Sequence, residues 1–240
     1  IHLVRNPEMN IWNYDYRTQI GDVRTLILTS AEKFKNKTFI RPNEPKLPSI
    51  SFAELVQFAS GLESFLEKKG VKKGEMVSVV FHNSTLLALL FLSVIYSRRV
   101  FVPINPYSSS EEIDYILSDA DPKLVIYDYN LKKNVEKVNS PVRLYRIKEH
   151  SEFIDSISSI IFCGESQPEN HSEQTPEMPA QIVYTSGTTG NPKGVVLSHE
   201  NLLEDSFCIG QNFGFSSDDR FLTVTPLFHN SGQISTTLGP

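Results

Sequence analysis

One stretch of eleven residues, YTSGTTGNPKG at positions 184–194, concentrates hydroxyl groups, glycines and a single lysine. Its three glycines let the backbone approach a bulky anion closely, or adopt positive φ without a Cβ clash. Hydroxyl side chains add hydrogen-bond donors, and a lysine ammonium is a compact charge that suits phosphate. The stretch therefore predicts a cradle for nucleotide phosphates, formed by Thr185, Ser186, Gly187, Thr188, Thr189, Gly190 and Lys193.

An ordinary turn is the alternative for this stretch, because serine, threonine and glycine are common wherever a chain reverses. The stretch is not a Walker loop, since no Gly-x-x-x-x-Gly-Lys-Ser/Thr frame fits it. A mostly apolar run at 180–184 leads into it and apolar residues follow it at 195–197, and this pattern predicts a loop between two strands.

A second candidate for chemistry is His229, in the stretch PLFHNSG at 226–232. It follows the apolar run 221–225, which predicts a strand, and an imidazole at a strand end can exchange protons near neutral pH. A hydrogen-bonded structural histidine is the alternative for a lone residue of this type. His199 follows Ser198 at a predicted helix start, where we expect it to cap and pack rather than to act in catalysis.

Composition limits the function classes. The 240 residues are 40% hydrophobic, which is enough for a folded core. The net charge is -5, so the chain lacks the excess of basic residues that is typical of nucleic-acid binding. Two distant cysteines, Cys163 and Cys208, argue against structural zinc and disulfides and favour a reducing, cytoplasmic compartment. The most apolar run, 85–96, is shorter than the ~20 residues of a membrane span, and we expect a buried helix there. The first residues show no secretory signal pattern.

Helices and strands alternate along the chain. Asp22 is a candidate cap for a helix over 23–34, and serine and glutamate at Ser51/Glu54 and at Ser109/Glu112 form capping boxes that open two more helices. Apolar runs at 76–81, 100–103 and 124–127 predict buried strands between these helices and the helix over 85–96. The expected fold is α/β, with mostly parallel sheets flanked by helices.

The remaining segments carry weaker patterns. Prolines predict an irregular or edge-strand connection over 40–49, and a polar, proline-containing run predicts a surface linker over 164–179. Candidate subdomain junctions lie near residue 50 and over 165–180. Arg98 and Arg99 are expected to form a surface turn.

The stretch 184–194 resembles the phosphate-loop signature of the adenylate-forming enzymes: acyl- and aryl-CoA ligases, luciferases and the adenylation domains of peptide synthetases. The stretch Pro226-Leu227-Phe228-His229 is similar to a second signature of these enzymes. The resemblance extends as an ordered series of elements from about residue 51 to the end, although the family usually has small residues at the position of Arg98 and Arg99. It implies that residues 1–240 are the N-terminal portion of an AMP-binding domain, and that this fragment is inactive alone.

For the whole enzyme, the resemblance implies that a carboxylate attacks the α-phosphorus of MgATP, which gives acyl-AMP and pyrophosphate, and that coenzyme A then takes the acyl group. Residues 185–190 and Lys193 would hold the β- and γ-phosphates, with the Thr185 hydroxyl near Mg²⁺. His229 would face the acyl carboxylate. Peptide-synthetase domains usually carry aspartate at that position to bind an α-ammonium group, so histidine favours a fatty or aryl acid without one.

Two alternatives keep the same motifs. An acyl-AMP ligase would transfer the acyl group to a carrier-protein thiol instead of coenzyme A, and a noncatalytic homologue or binding module would keep the fold and lose the reaction. The expected partners are a small carboxylic acid, one of these thiols and the C-terminal half of the same enzyme. Neither nucleic acid nor a transmembrane segment is expected.

Overall fold

The computed structural model describes residues 20–44, 47–159, 176–185 and 191–239. The helices are α1 (Val23–Phe34), α2 (Phe52–Lys68), α3 (Thr85–Tyr96), α4 (Ser110–Ala120), α5 (Lys132–Val135), α6 (His150–Ser159), α7 (His199–Phe213) and α8 (Asn230–Gln233), with a 3-10 turn at Tyr129–Leu131 and a π-helical turn at Ile234–Leu238. The strands are β1 (Thr38–Ile40), β2 (Ile50–Ser51), β3 (Met76–Val80), β4 (Val100–Ile104), β5 (Leu124–Asp128), β6 (Leu144–Ile147), β7 (Pro179–Thr185) and β8 (Lys193–Ser198).

The main sheet of the described residues has six strands in the order β6-β5-β3-β4-β7-β8. Every neighbouring pair is parallel except β7 and β8, which pair antiparallel. The last residues of β3, β4, β5 and β7 therefore lie along one edge of the sheet, which we call the carboxyl edge. Because β8 runs in the opposite direction, it begins at this edge. The predicted α/β fold with a mostly parallel sheet is confirmed.

Helices cover both faces of the sheet. Helices α1, α2, α3, α6 and α7 pack on the face that contains Val77 and Val79, whereas α4 and α5 pack on the face that contains Val80 and Val102. All twelve residues of α3 are buried, which confirms the prediction from its apolar sequence. Among the described residues, no helix combines the length and apolar character needed to cross a bilayer.

The predicted helix starts are confirmed by their hydrogen bonds. Ser51 Oγ accepts from the Glu54 N–H at 3.2 Å, and Glu54 Oε2 accepts from the Ser51 N–H at 2.7 Å. The pair at Ser109 and Glu112 repeats this capping box. Both boxes satisfy N–H groups that the first helical turn leaves without a partner.

Arg98 and Arg99 do not form the surface turn that we predicted, because only 9% and 1% of their respective surfaces are exposed. Arg99 Nη2 donates to the Val71 carbonyl at 2.9 Å, and Arg99 Nη1 lies 3.7 Å from a Glu63 carboxylate oxygen. Arg98 lies 3.7 Å from the Asp22 carboxylate and adopts a positive φ of 59°. The acidic partners of both arginines are distant in sequence, so the local pattern carried no information about them.

The predicted strand over 221–225 is also wrong, since this segment has no regular secondary structure. Leu222 and Val224 are 81% and 74% exposed, and no strand among the described residues pairs with them. An apolar run alone does not make a strand without a neighbour that accepts its backbone hydrogen bonds.

The connection predicted over 40–49 is confirmed in its described part, where β1 and β2 pair antiparallel and the residues between them are irregular. The linker predicted over 164–179 lies mostly outside the described residues, and Pro179 belongs to β7. The subdomain junctions near residue 50 and over 165–180 stay predictions.

Candidate functional site at the carboxyl edge

The hairpin formed by β7 and β8 brings two predicted site residues together at the carboxyl edge. Thr185 ends β7 and pairs directly with Lys193, which begins β8, and both residues are exposed. A hydroxyl and an ammonium thus flank the two ends of the hairpin loop. The predicted cradle residues Ser186, Gly187, Thr188, Thr189 and Gly190 lie between them, outside the described residues. Open α/β sheets commonly bind ligands at this edge.

The base of the hairpin is held by Tyr184, whose hydroxyl donates to Asp119 Oδ2 of α4 at 2.6 Å. Burial and this hydrogen bond to a carboxylate both raise the pKa of Tyr184, so the phenol stays protonated. A Cβ at Gly194 would lie 3.0 Å from Ile182 Cγ2 and 3.1 Å from Tyr184 Cζ. Gly194 therefore leaves room for the tyrosine ring, which explains the last glycine of the sequence stretch.

His229 lies at the N-cap position of α8 with an extended backbone, and its imidazole does not cap the helix. The residue is exposed, and its ring centroid is 4.6 Å from that of Phe228. The His229 N–H donates to the Pro226 carbonyl at 3.1 Å. A Cβ at Gly232 would lie only 2.5 Å from the Pro226 oxygen, so this tight turn requires glycine. The turn directs the backbone and leaves the imidazole exposed to solvent.

Residues 225–229, which we call the His229 segment, are tied to the sheet by side chains that our sequence analysis did not select. Asn83, just beyond β3, donates from Nδ2 to the Thr225 carbonyl at 3.0 Å and accepts from the Leu227 N–H at 2.8 Å. Since β3 ends at the carboxyl edge, these bonds place the His229 segment at the same edge as the hairpin. Asn83 is not the cap of α3, because Ser84 caps that helix.

A second connection starts at Gln181 of β7. Gln181 Nε2 donates to Gln233 Oε1 at 2.5 Å, and Gln233 Nε2 donates to the Leu227 carbonyl at 2.6 Å. Both glutamines are fully buried. The sequence signal for this connection is a polar residue, Gln181, inside the otherwise apolar stretch 180–184.

The residues present fit a metal ion that arrives with a nucleotide. Within the described ranges, no group of three or more His, Cys, Asp or Glu side chains could hold a metal on its own. Magnesium at phosphate sites usually keeps several waters and takes further oxygens from the phosphates. The exposed hydroxyl of Thr185 would be available to such an ion.

Another polar contact at the carboxyl edge joins Asp128, the last residue of β5, to His150, the first residue of α6. Asp128 Oδ2 lies 2.7 Å from His150 Nε2. Burial raises the pKa of Asp128, but the hydrogen bonds from His150 and the Asn130 N–H together lower it by more than burial raises it. The resulting pKa lies below the usual value. The charged form is therefore stabilised, and the pair fixes the start of α6 on the sheet.

His199 is fully buried directly after β8, which agrees with its expected packing role. Its Nδ1 accepts a hydrogen bond from the Val23 N–H at 3.3 Å, so it satisfies the start of α1 rather than of its own helix. A proton on Nδ1 would remove this acceptor. Burial lowers the pKa of His199 to about 4, with Asp22 opposing and Arg98 reinforcing the shift.

The free energy of unfolding is therefore expected to fall as the pH drops from about 6.5 to about 4. In this range His199 binds a proton in the unfolded chain but not in the folded protein. The slope from this group approaches ~1.4 kcal/mol per pH unit. Denaturation at several pH values measures it. His199→Asn, whose side-chain oxygen can still accept from Val23, should show a flatter profile over this window. Equal slopes in the two proteins would contradict this assignment.

The mostly parallel sheet, the hairpin at its carboxyl edge and the tethered His229 segment define an α/β protein with a candidate ligand site at the strand ends. Residues 28–240 match the family described as AMP-binding enzyme, and the chain belongs to this family. The resemblance that we inferred from the two signatures is thereby confirmed.

Individual relatives are ligases by name. The chain is 29% identical over 194 residues to a probable CoA ligase, CCL9, of Humulus lupulus, covering 78% of this chain and 36% of the relative. It is 32% identical over 186 residues to a D-alanine--D-alanyl carrier protein ligase of Listeria monocytogenes, covering 74% of this chain and 33% of the relative. The chain thus spans about a third of the length of either ligase.

Solved structures share the fold. The ATP-bound structure of MatB from Rhodopseudomonas palustris superposes with a TM-score of 0.75 at 24% identity, covering 91% of this chain and 43% of that one.

Proposed function

We propose that the full-length protein activates a carboxylic acid with ATP and then transfers the acyl group from the acyl adenylate to the thiol of coenzyme A, which releases AMP. The observation that carries this proposal is the placement of Thr185 and Lys193 opposite each other at the carboxyl edge, the edge to which Asn83 also ties the His229 segment. Because the chain spans only about a third of the length of these two ligases, the activity is proposed for the full-length protein. The 240 residues would be the N-terminal portion of its AMP-binding domain, inactive alone.

In the first step, an oxygen of the substrate carboxylate forms a bond to the α-phosphorus of ATP. The bond from that phosphorus to the oxygen bridging to the β-phosphate breaks, and pyrophosphate leaves with the electron pair. Both reactants are anionic, so the protein's task is to position them and to neutralise charge. Lys193 and the loop residues 185–190 would hold the β- and γ-phosphates. Mg²⁺ near Thr185 would supply further positive charge to the phosphate oxygens.

His229 would receive the carboxylate from the other side of the site. An exposed imidazole offers a hydrogen-bond donor to the carboxylate without the repulsion that an aspartate would exert. This arrangement favours fatty or aryl acids without an α-amino group. We also propose a cytoplasmic location, because two distant cysteines, Cys163 and Cys208, favour a reducing compartment.

The acyl acceptor has a second candidate. Similarity to a ligase named for its carrier protein favours a carrier thiol as strongly as similarity to a CoA ligase favours coenzyme A. Comparing both thiols as acceptors for the preformed acyl adenylate decides between them.

The proposed activity is tested by isotope exchange between pyrophosphate and ATP in the full-length protein. A panel of fatty, aryl and α-amino acids is supplied one at a time. We expect exchange with at least one fatty or aryl acid, and little with α-amino acids. Exchange with α-amino acids alone, or with none of the panel, would overturn the proposal.

Substitutions of His229 test its role with the same assay. We expect kcat/KM for the acid to fall by roughly 10- to 100-fold in His229→Ala, within the range of a lost transition-state contact. In His229→Asp, kcat/KM for the acid should fall at least as far, because the aspartate charge repels the substrate carboxylate. The KM for ATP should change little in either variant. An aspartate variant as active as the original protein would exclude this role.

A further inference from the structure

The backbone around Leu227 is held by side chains from two separate elements, Asn83 just beyond β3 and Gln233 of α8. The single carboxamide of Asn83 uses both of its ends, since Nδ2 donates to the Thr225 carbonyl and Oδ1 accepts from the Leu227 N–H. These partners lie 142 and 144 residues away along the chain, so the contact joins segments that nothing local brings together. Asn83 itself is fixed by its place between the end of β3 and the cap of α3.

The other polar group of Leu227 is held from β7. Its carbonyl accepts from Gln233 Nε2, and the carboxamide of Gln233 in turn accepts from Gln181 Nε2. Gln181 lies four residues before Thr185 on the same strand. The backbone two residues before His229 is therefore tied to β3 on one side and, through buried amides, to the strand that carries the hairpin on the other.

From this double attachment, we propose that Asn83 is a positioning residue that sets where His229 lies relative to the hairpin formed by β7 and β8. The inference rests on the proposed function, because the position of His229 matters only if it faces the acid substrate. Asn83 would not touch the substrate. It would act through the backbone of residues 225–227, whose turn continues directly into His229. A displacement of about 1 Å at a reacting group can lower a rate by as much as about 100-fold.

The chemistry of the contact selects the substitution that tests it. Asn83→Asp keeps the size and still accepts from the Leu227 N–H, but an ionised carboxylate cannot donate to the Thr225 carbonyl. Two oxygens would then face each other across a 3.0 Å contact, and the segment would shift away. Asn212→Asp is the matched control, because Asn212 is exposed near the end of α7.

Pyrophosphate exchange in the full-length protein, with an acid that the original protein accepts, separates the outcomes. We expect Asn83→Asp to lower kcat/KM for the acid at least 10-fold and to change the KM for ATP less than 2-fold, with Asn212→Asp unchanged. Should Asn83→Asp fail to fold, Asn83→Ala removes both hydrogen bonds without adding a charge, and the same selective loss is expected. Equal losses for acid and ATP, or no loss, would overturn the positioning role. Absence of exchange in the original protein would overturn the proposed function instead.

Discussion

Replacing Lys193 by alanine in the full-length protein is expected to lower pyrophosphate exchange by about 100- to 1000-fold, the range for one lost group that meets developing charge. Lys193 begins β8 opposite Thr185, and its ammonium makes no ion pair with another residue in the part of the chain that the structure describes. Its charge is therefore available to a bound anion. The loss should appear in the use of ATP, with little change in the KM for the acid.

Two further lysine variants make this result interpretable. Lys193→Arg keeps the charge and should retain more activity than Lys193→Ala, although a guanidinium differs in shape from an ammonium. Lys72→Ala removes an exposed lysine from the turn before β3, at the opposite edge of the sheet, and should leave exchange unchanged. Unchanged pyrophosphate exchange in Lys193→Ala would count against a phosphate site at the hairpin.

Replacing Arg99 by methionine is expected to lower the free energy of unfolding by about 3 kcal/mol, the lower end of the range for breaking a buried charged pair. Arg99 is 1% exposed and donates to the carbonyls of Val71 and Ser97 at 2.9 and 2.7 Å. Methionine fills much of the same space but leaves both carbonyls buried without these donors. Arg24 still pairs with Glu63, which keeps the loss from being larger.

Thermal unfolding measures this loss. For a domain of this size, about 3 kcal/mol corresponds to a decrease in melting temperature of roughly 6 to 12 °C. Arg220→Met is the control, since Arg220 is exposed and its guanidinium bonds only to the nearby Asp218 and Asp219 carbonyls in the described residues. We expect its melting temperature to change little. Similar shifts in the two variants would show that the buried network does not stabilise the fold.

Local patterns were sufficient to predict most of the fold. Helix starts at Ser51 and Ser109 are encoded within four residues, so the capping boxes could be recognised directly. Strands buried on both faces, such as β3 and β4, appear as continuous apolar runs. The hairpin could be predicted because apolar residues flank a loop rich in glycine and hydroxyl groups.

The failures all depend on contacts between distant segments. Arg98 and Arg99 have the sequence pattern of a charged surface turn, but in the fold Arg98 lies beside Asp22 and Arg99 lies beside Glu63. The roles of Asn83 and Gln181 were missed for the same reason, since their partners lie 52 or more residues away. Candidate site residues could thus be found from the two signatures, whereas the side chains that orient them required the fold.

The central claim is that the loop between Thr185 and Lys193 binds the phosphates of ATP. A crystal structure of the full-length protein with Mg²⁺ and a nonhydrolysable ATP analogue tests it most directly. We predict that the β- and γ-phosphates lie within hydrogen-bonding distance of the loop backbone and of Lys193 Nζ. His229 should lie on the side of the α-phosphate from which the substrate carboxylate approaches. Phosphates bound elsewhere on the protein, with this loop empty, would contradict the account.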